Sequence, residues 1–226
     1  MAARAVIFDC DGVLLDSNRL KVELFRATAT ETGFAPADVD RFSAFQAANF
    51  GTSRFRLFET LLRWDLEVRP AVTVDELVEH YAGLLADRYA ASPETPGMRE
   101  IVARLGDEMP LFVASGSAQE ELRGVFAQRG DAGAFEDILG SPVKKDENVA
   151  SIVATLQARD PSLPSDQIWF VGDAEADLAA ATGNGLRFVY MDAFSTVQER
   201  MRGLAAEHGF PVIDDLRGLP AVLAAS

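Results

Sequence analysis

Asp9 and Asp11 stand one residue apart at the end of the apolar run Ala5-Val6-Ile7-Phe8, and Gly12 follows them. In a strand, residues i and i+2 point to the same side. Two carboxylates therefore begin on one face, where a buried strand runs out into a loop. Neighbouring carboxylates repel unless a cation or a shared proton neutralises them. Taken alone the stretch would also suit a solvated turn, because Asp and Gly are common turn formers. Its companions along the chain point elsewhere. Gly172-Asp173 closes the apolar run Ile168–Val171, and Asp177 lies four residues on, so both carboxylates fall on one side of a helix start. Such acids also serve as helix-dipole partners. Ser115-Gly116-Ser117 follows Leu111–Ala114. Backbone N–H groups in such a turn can cradle an anion, and Ser115 can donate to a phosphate oxygen. The plainer reading is a loop with Ser117 as helix cap. Gly140-Ser141-Pro142-Val143-Lys144-Lys145-Asp146 sets two lysines just before a helix, where they oppose the dipole unless something anionic faces them.

Together these sites describe a chemistry. Asp9, Asp11 and Asp173, each after a strand, make a hard oxygen site suited to Mg²⁺. A lysine and a serine loop beside them would offset the charge of a bound phosphate. His80 and His208 lie in helical stretches away from every strand end. No Cys/His cluster suggests zinc, and no Gly-x-x-x-x-Gly-Lys-Ser/Thr suggests a nucleotide P-loop.

The elements that must position these groups are short apolar runs separated by helical segments. Ala5–Phe8, Leu111–Ala114, Ile168–Val171, Leu186–Tyr190 and Pro211–Ile213 read as strands buried on both faces, the mark of a doubly wound parallel sheet with helices on either side. The helices expected between them are Gln119–Gln128, Asp146–Ala158, Ala174–Thr182 and Thr196–Glu207, with Ser195 and Gln198 as a capping box for the last. From Asp16 to Thr95 the pattern changes to amphipathic helices without a convincing strand. Phe55, Phe58, Leu61 and Leu62 form one apolar stripe; Leu77, Tyr81, Leu84 and Leu85 form another, opened by Thr73 with Glu76 three residues on. Both stripes read as core. Pro93, Pro96 and Gly97 mark the return. The expected organisation is an α/β catalytic core of residues 1–15 and 96–226 with a helical domain, 16–95, inserted after its first strand.

The 226 residues are 48% hydrophobic and 25% charged, enough for one buried core and a smaller appendage. The net charge of -14 argues against nucleic acid or an anionic membrane as partner. With the single cysteine, Cys10, no intramolecular disulfide can form. No stretch approaches the ~18 apolar residues of a membrane span. No long apolar segment follows Arg4, and a cytoplasmic location is expected.

In the order of its motifs the chain resembles the haloacid dehalogenase superfamily of phosphohydrolases: Asp-x-Asp-Gly-Val at Asp9 to Val13, the strand-end Ser115, a lysine at Lys145, and Gly-Asp-x-x-x-Asp at Gly172 to Asp177. The resemblance covers nearly the whole chain, with the helical insert placed like the family's α-helical cap. It implies that Asp9 is a nucleophile forming an aspartyl-phosphate, and that Asp11 is the general acid and then the base for water. It also implies Mg²⁺ held by the Asp9 carboxylate, the Asp11 carbonyl and Asp173, with Asp177 behind them. Ser115, Gly116, Gly12 and Lys145 would bind the phosphoryl group, Lys145 being preferred to Lys144. Asp11 separates the chain from true haloacid dehalogenases, which lack the second aspartate. The β-phosphoglucomutase branch has two adjacent acids where this chain has Gly172-Asp173. Gly51-Thr52-Ser53-Arg54 resembles the cap segment of that branch in which the arginine grips a substrate phosphate or polar group. Asp16-Ser17-Asn18 with Lys21 would lie at the hinge. The expected activity is a Mg²⁺-dependent phosphatase on a small phosphorylated metabolite, a sugar or polyol phosphate, working as monomer or homodimer. A phosphohexomutase, or a non-catalytic binding protein on the same fold, is the alternative.

Overall fold

In the computed structural model, which describes residues 3–49 and 52–225, six parallel strands form one sheet. They are β1 (Ala5–Phe8), β2 (Leu111–Ala118), β3 (Asp137–Ser141), β4 (Ile168–Gly172), β5 (Arg187–Met191) and β6 (Val212–Ile213), in the order β3-β2-β1-β4-β5-β6. Alternate residues feed opposite faces. Val6, Phe8, Val113, Trp169, Val171 and Met191 pack into one core, whereas Ile7, Phe112, Ala114, Phe170, Phe188 and Tyr190 pack into another. The strands are apolar throughout because each face is covered. The strand order reverses about β1, so the crevice for a ligand lies where β1, β2 and β4 end.

The helices are α1 (Asn18–Glu31), α2 (Pro36–Ala48), α3 (Arg54–Arg63), α4 (Val74–Ala90), α5 (Met98–Gly106), α6 (Gln119–Arg129), α7 (Lys145–Arg159), α8 (Glu175–Gly183), α9 (Gln198–His208) and α10 (Leu219–Ala224). Among the described residues no helix is long and apolar enough to cross a membrane.

The sequence reading differs from the structure at identifiable places. β3 was not anticipated. Only Ile138 and Leu139 of its five residues are apolar, between a leading charge and a closing Gly-Ser, too short a run to mark a strand, and pairing with β2 makes them one. β2 runs on through the Ser-Gly-Ser segment to Ala118, where it pairs with Ser141. Gly140 permits that approach, since a Cβ there would sit 2.5 Å from the Ser117 carbonyl oxygen. α6 is capped by Ala118, not Ser117. The Ser195–Gln198 capping box does not form. Val197 precedes α9, Ser195 Oγ accepts from Val197 N–H at 3.2 Å, and Gln198 Nε2 donates to the Asp192 carbonyl at 2.8 Å. Thr73 and Glu76 do form theirs at the start of α4. In α3 the buried stripe is Leu57, Phe58 and Leu61, and Phe55 faces solvent.

Helices α1 to α4 follow β1 without an intervening strand. Phe25 on α1 gathers Phe42, Phe58 and Tyr81 around it, with the Phe25–Tyr81 ring centroids 4.4 Å apart. The two crossings between these helices and the sheet are joined to each other. Asp16 N–H donates to the Pro93 carbonyl at 2.8 Å, Thr95 N–H donates to the Leu14 carbonyl at 3.1 Å, and Leu15 bridges Glu94 antiparallel.

Candidate active site

Asp9 follows β1 directly, and its N–H donates to the Val171 carbonyl at the end of β4 at 2.9 Å. That bond draws the first aspartate against the Gly172-Asp173 turn. Asp9, Asp173 and Asp177 then form one buried group with ligand oxygens within 4.8 Å of one another. Each acid is fixed differently. Asp177 accepts from the N–H groups of Asp173 and Ala174 at 3.0 Å through Oδ2, and from Lys145 through Oδ1. Its oxygens are thereby taken. Gly172 makes room for it, because a Cβ there would lie 2.3 Å from that of Asp177. Asp173 Oδ2 accepts from Asn18 Nδ2 at 2.6 Å, and its carbonyl accepts from Ser195 Oγ at 2.6 Å. Lys145 Nζ ion-pairs with Asp9 Oδ1 at 3.0 Å. Lys144 instead points outward toward Glu147.

Burial pushes Asp9 up to about 7, with Asp177 and Asp11 adding to the rise and Lys145 opposing it. Asp173 is also raised, by burial and then by Asp177 and Asp9. Lys145 would lose its proton to burial, but Asp177 and Asp9 outweigh this and hold it as an ammonium. Asp173 Oδ1 is buried and accepts no hydrogen bond, and Asp9 Oδ1 has only the Lys145 ammonium beside it. When ionised, three carboxylates against one ammonium leave two negative charges, and one buried oxygen lacks a donor. A hard divalent cation answers both deficits, so the residues fit Mg²⁺.

The Asp11 carboxylate lies apart from this group. It accepts from Ser17 Oγ at 2.6 Å, Lys21 Nζ at 2.5 Å and Ser117 Oγ at 3.1 Å. Burial acts to raise Asp11, but Lys21 and these hydrogen bonds prevail and hold it below the usual carboxylate range. Any share Asp11 takes in a metal site therefore falls to its carbonyl. Gly12 adopts φ +77, and a Cβ would meet Asn18 Nδ2 at 2.3 Å and Asp173 Oδ2 at 2.4 Å. Its backbone passes where no side chain fits.

Ser115 Oγ, buried, accepts from Ser117 N–H at 3.2 Å. Ser115 and Gly116 line a cavity of about 40 Å³ with Asp9 and Asp11, closed from the helical side by Gln46 and Arg54. Arg54 is 5% exposed, and Gly51 of its motif lies outside the described residues. Its Nη1 and Nη2 donate to the two carboxylate oxygens of Glu121 at 2.9 and 2.5 Å, and its guanidinium lies over Tyr81. The arginine expected to grip substrate thus holds α3 to α6.

Sequence reasoning missed what Lys21, Asn18, Ser195, Gln46 and Glu121 do. Lys21 left a trace: it shares the buried face of α1 with Leu24, Phe25 and Thr28. A lysine in that register has a buried anion to meet. Ser195 and Asn18 reach Asp173 from distant segments, and nothing local marks them.

Aspartates after β1 and β4, a strand-end serine and a buried lysine at the mouth of a parallel sheet define a hydrolase site of the phosphate-handling kind. The model of the haloacid dehalogenase-like hydrolases matches residues 6–191, and the chain belongs to that family. It is 30% identical over 227 residues to a phosphoglycolate phosphatase of Pseudomonas fluorescens, covering 96% of this chain and 78% of that protein. A protein from Clostridium acetobutylicum described as a predicted phosphatase superposes with TM-score 0.77 at 17% identity, over all of both chains. CbbY from Rhodobacter sphaeroides, solved in complex with phosphate, superposes with TM-score 0.72 at 18% identity, over 99% of this chain and all of that one. The chain is thus a phosphatase-type hydrolase.

Proposed function

We propose that the protein hydrolyses a sugar or polyol phosphate through an aspartyl-phosphate on Asp9, with Mg²⁺ as cofactor. The observation that carries the reading is the Asp9 carboxylate. It is buried, has the Lys145 ammonium 3.0 Å from Oδ1, lies within reach of Asp173 and Asp177, and opens on a cavity shared with Ser115 and Asp11.

In this reading Asp9 attacks phosphorus and the ester oxygen departs. Ser115 Oγ and the Gly116 N–H hold the phosphoryl oxygens, and the Lys145 ammonium offsets their charge. Asp11 gives its proton to the departing oxygen, then takes one from the water that displaces phosphate from Asp9. Lys21 and the hydrogen bonds from Ser17 and Ser117 favour the ionised form of Asp11, the form the second step needs. An anionic phosphoryl group bound beside it raises its proton affinity for the first. Mg²⁺ would be held by Asp9, Asp173 and the Asp11 carbonyl, with Asp177 orienting Lys145, and would neutralise charge on the phosphoryl group. Residues 16–95 act as a cap that closes over the cavity and excludes water.

A phosphate-release screen over sugar and polyol phosphates, with and without Mg²⁺, tests this. Hydrolysis of none, or interconversion of sugar phosphates without release, would remove the reading.

A further inference from the structure

The helical wall of the cavity holds one buried polar atom that no described residue satisfies. Gln46, on α2, is 2% exposed and lines the cavity, and its Oε1 accepts no hydrogen bond among the described residues. A buried acceptor without a donor is uncommon and requires a cause. A hydroxyl on a ligand in this cavity would supply that donor.

The cations on the same wall are in the opposite condition. Arg54 gives both arms of its fork to Glu121. Lys21 donates to Asp11, to Ser117 Oγ at 2.5 Å and to the Tyr89 hydroxyl at 3.0 Å, which accounts for its three protons. Among the described residues, each cation lining this cavity already has its carboxylate. A second anion on the substrate would find neither charge free. A carboxylate or phosphate would gain nothing from Gln46 Oε1 as it is placed and would bring its charge near Asp11. A hydroxyl has the proton that Gln46 lacks and carries no charge for the wall to neutralise. The cavity is small enough for the difference to be felt. Its 40 Å³ corresponds to about three water sites at ~10–15 Å³ each, so a phosphoryl group leaves the adjoining atoms of the substrate against the helices.

We infer that Gln46 is a specificity residue that accepts a hydrogen bond from an uncharged substrate hydroxyl close to the scissile phosphate, and that the Arg54–Glu121 pair denies that position to a second anion. The inference rests on the phosphatase reading above and narrows it.

The test uses three two-carbon phosphomonoesters: 2-hydroxyethyl phosphate, ethyl phosphate and phosphoglycolate. They share the ester and differ only at the far end, which is hydroxyl, methyl or carboxylate. For the wild-type chain kcat/KM should be at least ~10-fold higher for 2-hydroxyethyl phosphate than for either of the others, the discrimination a site gains by hydrogen-bonding a substrate hydroxyl. In Gln46→Leu the hydroxyethyl-to-ethyl ratio should fall to ~3 or less. In Glu121→Gln, where Arg54 loses its counter-charge, the phosphoglycolate-to-hydroxyethyl ratio should rise ~10-fold. Each value is a ratio within one protein, so a loss of folded enzyme cancels. Preference of the wild type for phosphoglycolate, indifference between hydroxyethyl and ethyl phosphate, or an unchanged ratio in Gln46→Leu overturns the inference. Turnover of p-nitrophenyl phosphate separates the two failures. If it is hydrolysed without a hydroxyl preference, the assignment of Gln46 alone is wrong. If neither it nor the other esters are hydrolysed, the hydrolytic reading falls and the inference falls with it.

Discussion

Asp9→Asn should make the metal-free protein more stable while ending its activity, and both effects follow from the position of one carboxylate. In the fold Asp9 titrates at about 7, against 3.8 for an ordinary aspartate. Between those values the folded state keeps a proton that the unfolded chain has released, so stability falls as pH rises through that window, and the loss is complete above pH 7. Each pKa unit is worth about 1.4 kcal/mol, so the ionised Asp9 costs the metal-free fold about 4 kcal/mol at pH 8. Asparagine removes that cost but introduces a buried amide whose unpaired groups cost roughly 1–3 kcal/mol. A net gain of about 1–3 kcal/mol remains, or a Tm rise on the order of 3–10 °C for a chain of this size. At pH 4 the gain should vanish. Thermal unfolding of both proteins in chelator at pH 4 and pH 8 reads this directly, and a second series with Mg²⁺ should stabilise the wild type and leave the variant nearly unmoved. Turnover should fall at least ~10³-fold, because an amide is a far poorer nucleophile. A variant less stable than wild type at pH 8 without metal would refute the electrostatic account, and activity above a tenth of wild type would refute the nucleophile.

Excess chelator should abolish phosphate release and Mg²⁺ or Mn²⁺ restore it, with Ca²⁺ inhibiting because it takes more ligands at longer distances; full activity in chelator would overturn the metal assignment. Gly12→Ala places a Cβ 2.4 Å from Asp173 Oδ2, so the Mg²⁺ needed for half-activation should rise ~10-fold or more, and an unshifted metal titration would show that Gly12 does not set the site. Lys145→Met leaves the buried Asp9 and Asp177 carboxylates without their ammonium, and denaturant unfolding at pH 8 should show a loss of roughly 3–5 kcal/mol, alongside turnover reduced ~10²-fold; unchanged stability would mean that the cluster is neutralised otherwise. Arg54→Ala strips the half-buried Glu121 of its partner, so turnover of all substrates should drop together, and the double variant with Glu121→Ala should recover part of the loss; a loss confined to the larger substrates would return Arg54 to direct substrate binding.

The parallel sheet was legible because its central strands are buried on both faces and so are written as unbroken apolar runs. β3 sits at the sheet edge, starts with Asp137 and ends at Ser141, and becomes a strand only through its partner. The Ser-Gly-Ser end of β2 carries loop-forming residues, and the pairing of Ala118 with Ser141 overrides them. The acids of the site were readable because strand ends are where such sheets bind ligands, which turns position in the sequence into position in space. The partners of those acids were not. Asn18 reaches Asp173 from 155 residues away and Arg54 reaches Glu121 from 67, and such pairings belong to the packing of the helices on the sheet. For Arg54 the sequence marked the residue, and the structure sets it in the cavity lining, but its partner Glu121 was not readable, because a guanidinium serves an internal carboxylate as well as a ligand's.

The paired crossings at Leu14–Asp16 and Pro93–Thr95 have a consequence for how such a chain can be rebuilt. The helical segment leaves the sheet and returns to it at hydrogen-bonded neighbours, so from the sheet's side the whole insert occupies the footprint of a hairpin tip. Closing a loop whose ends already touch adds little entropic penalty as the loop lengthens. The seam is thus a natural graft point. A foreign helical insert that keeps Ser17, Asn18 and Lys21, the donors to Asp11 and Asp173, should leave the six-stranded sheet and its acid cluster able to assemble, while changing what is admitted to them. Beyond those first residues of the insert, substrate choice is then exchangeable against a phosphate chemistry that stays with the sheet, the chain being cut only at one short seam.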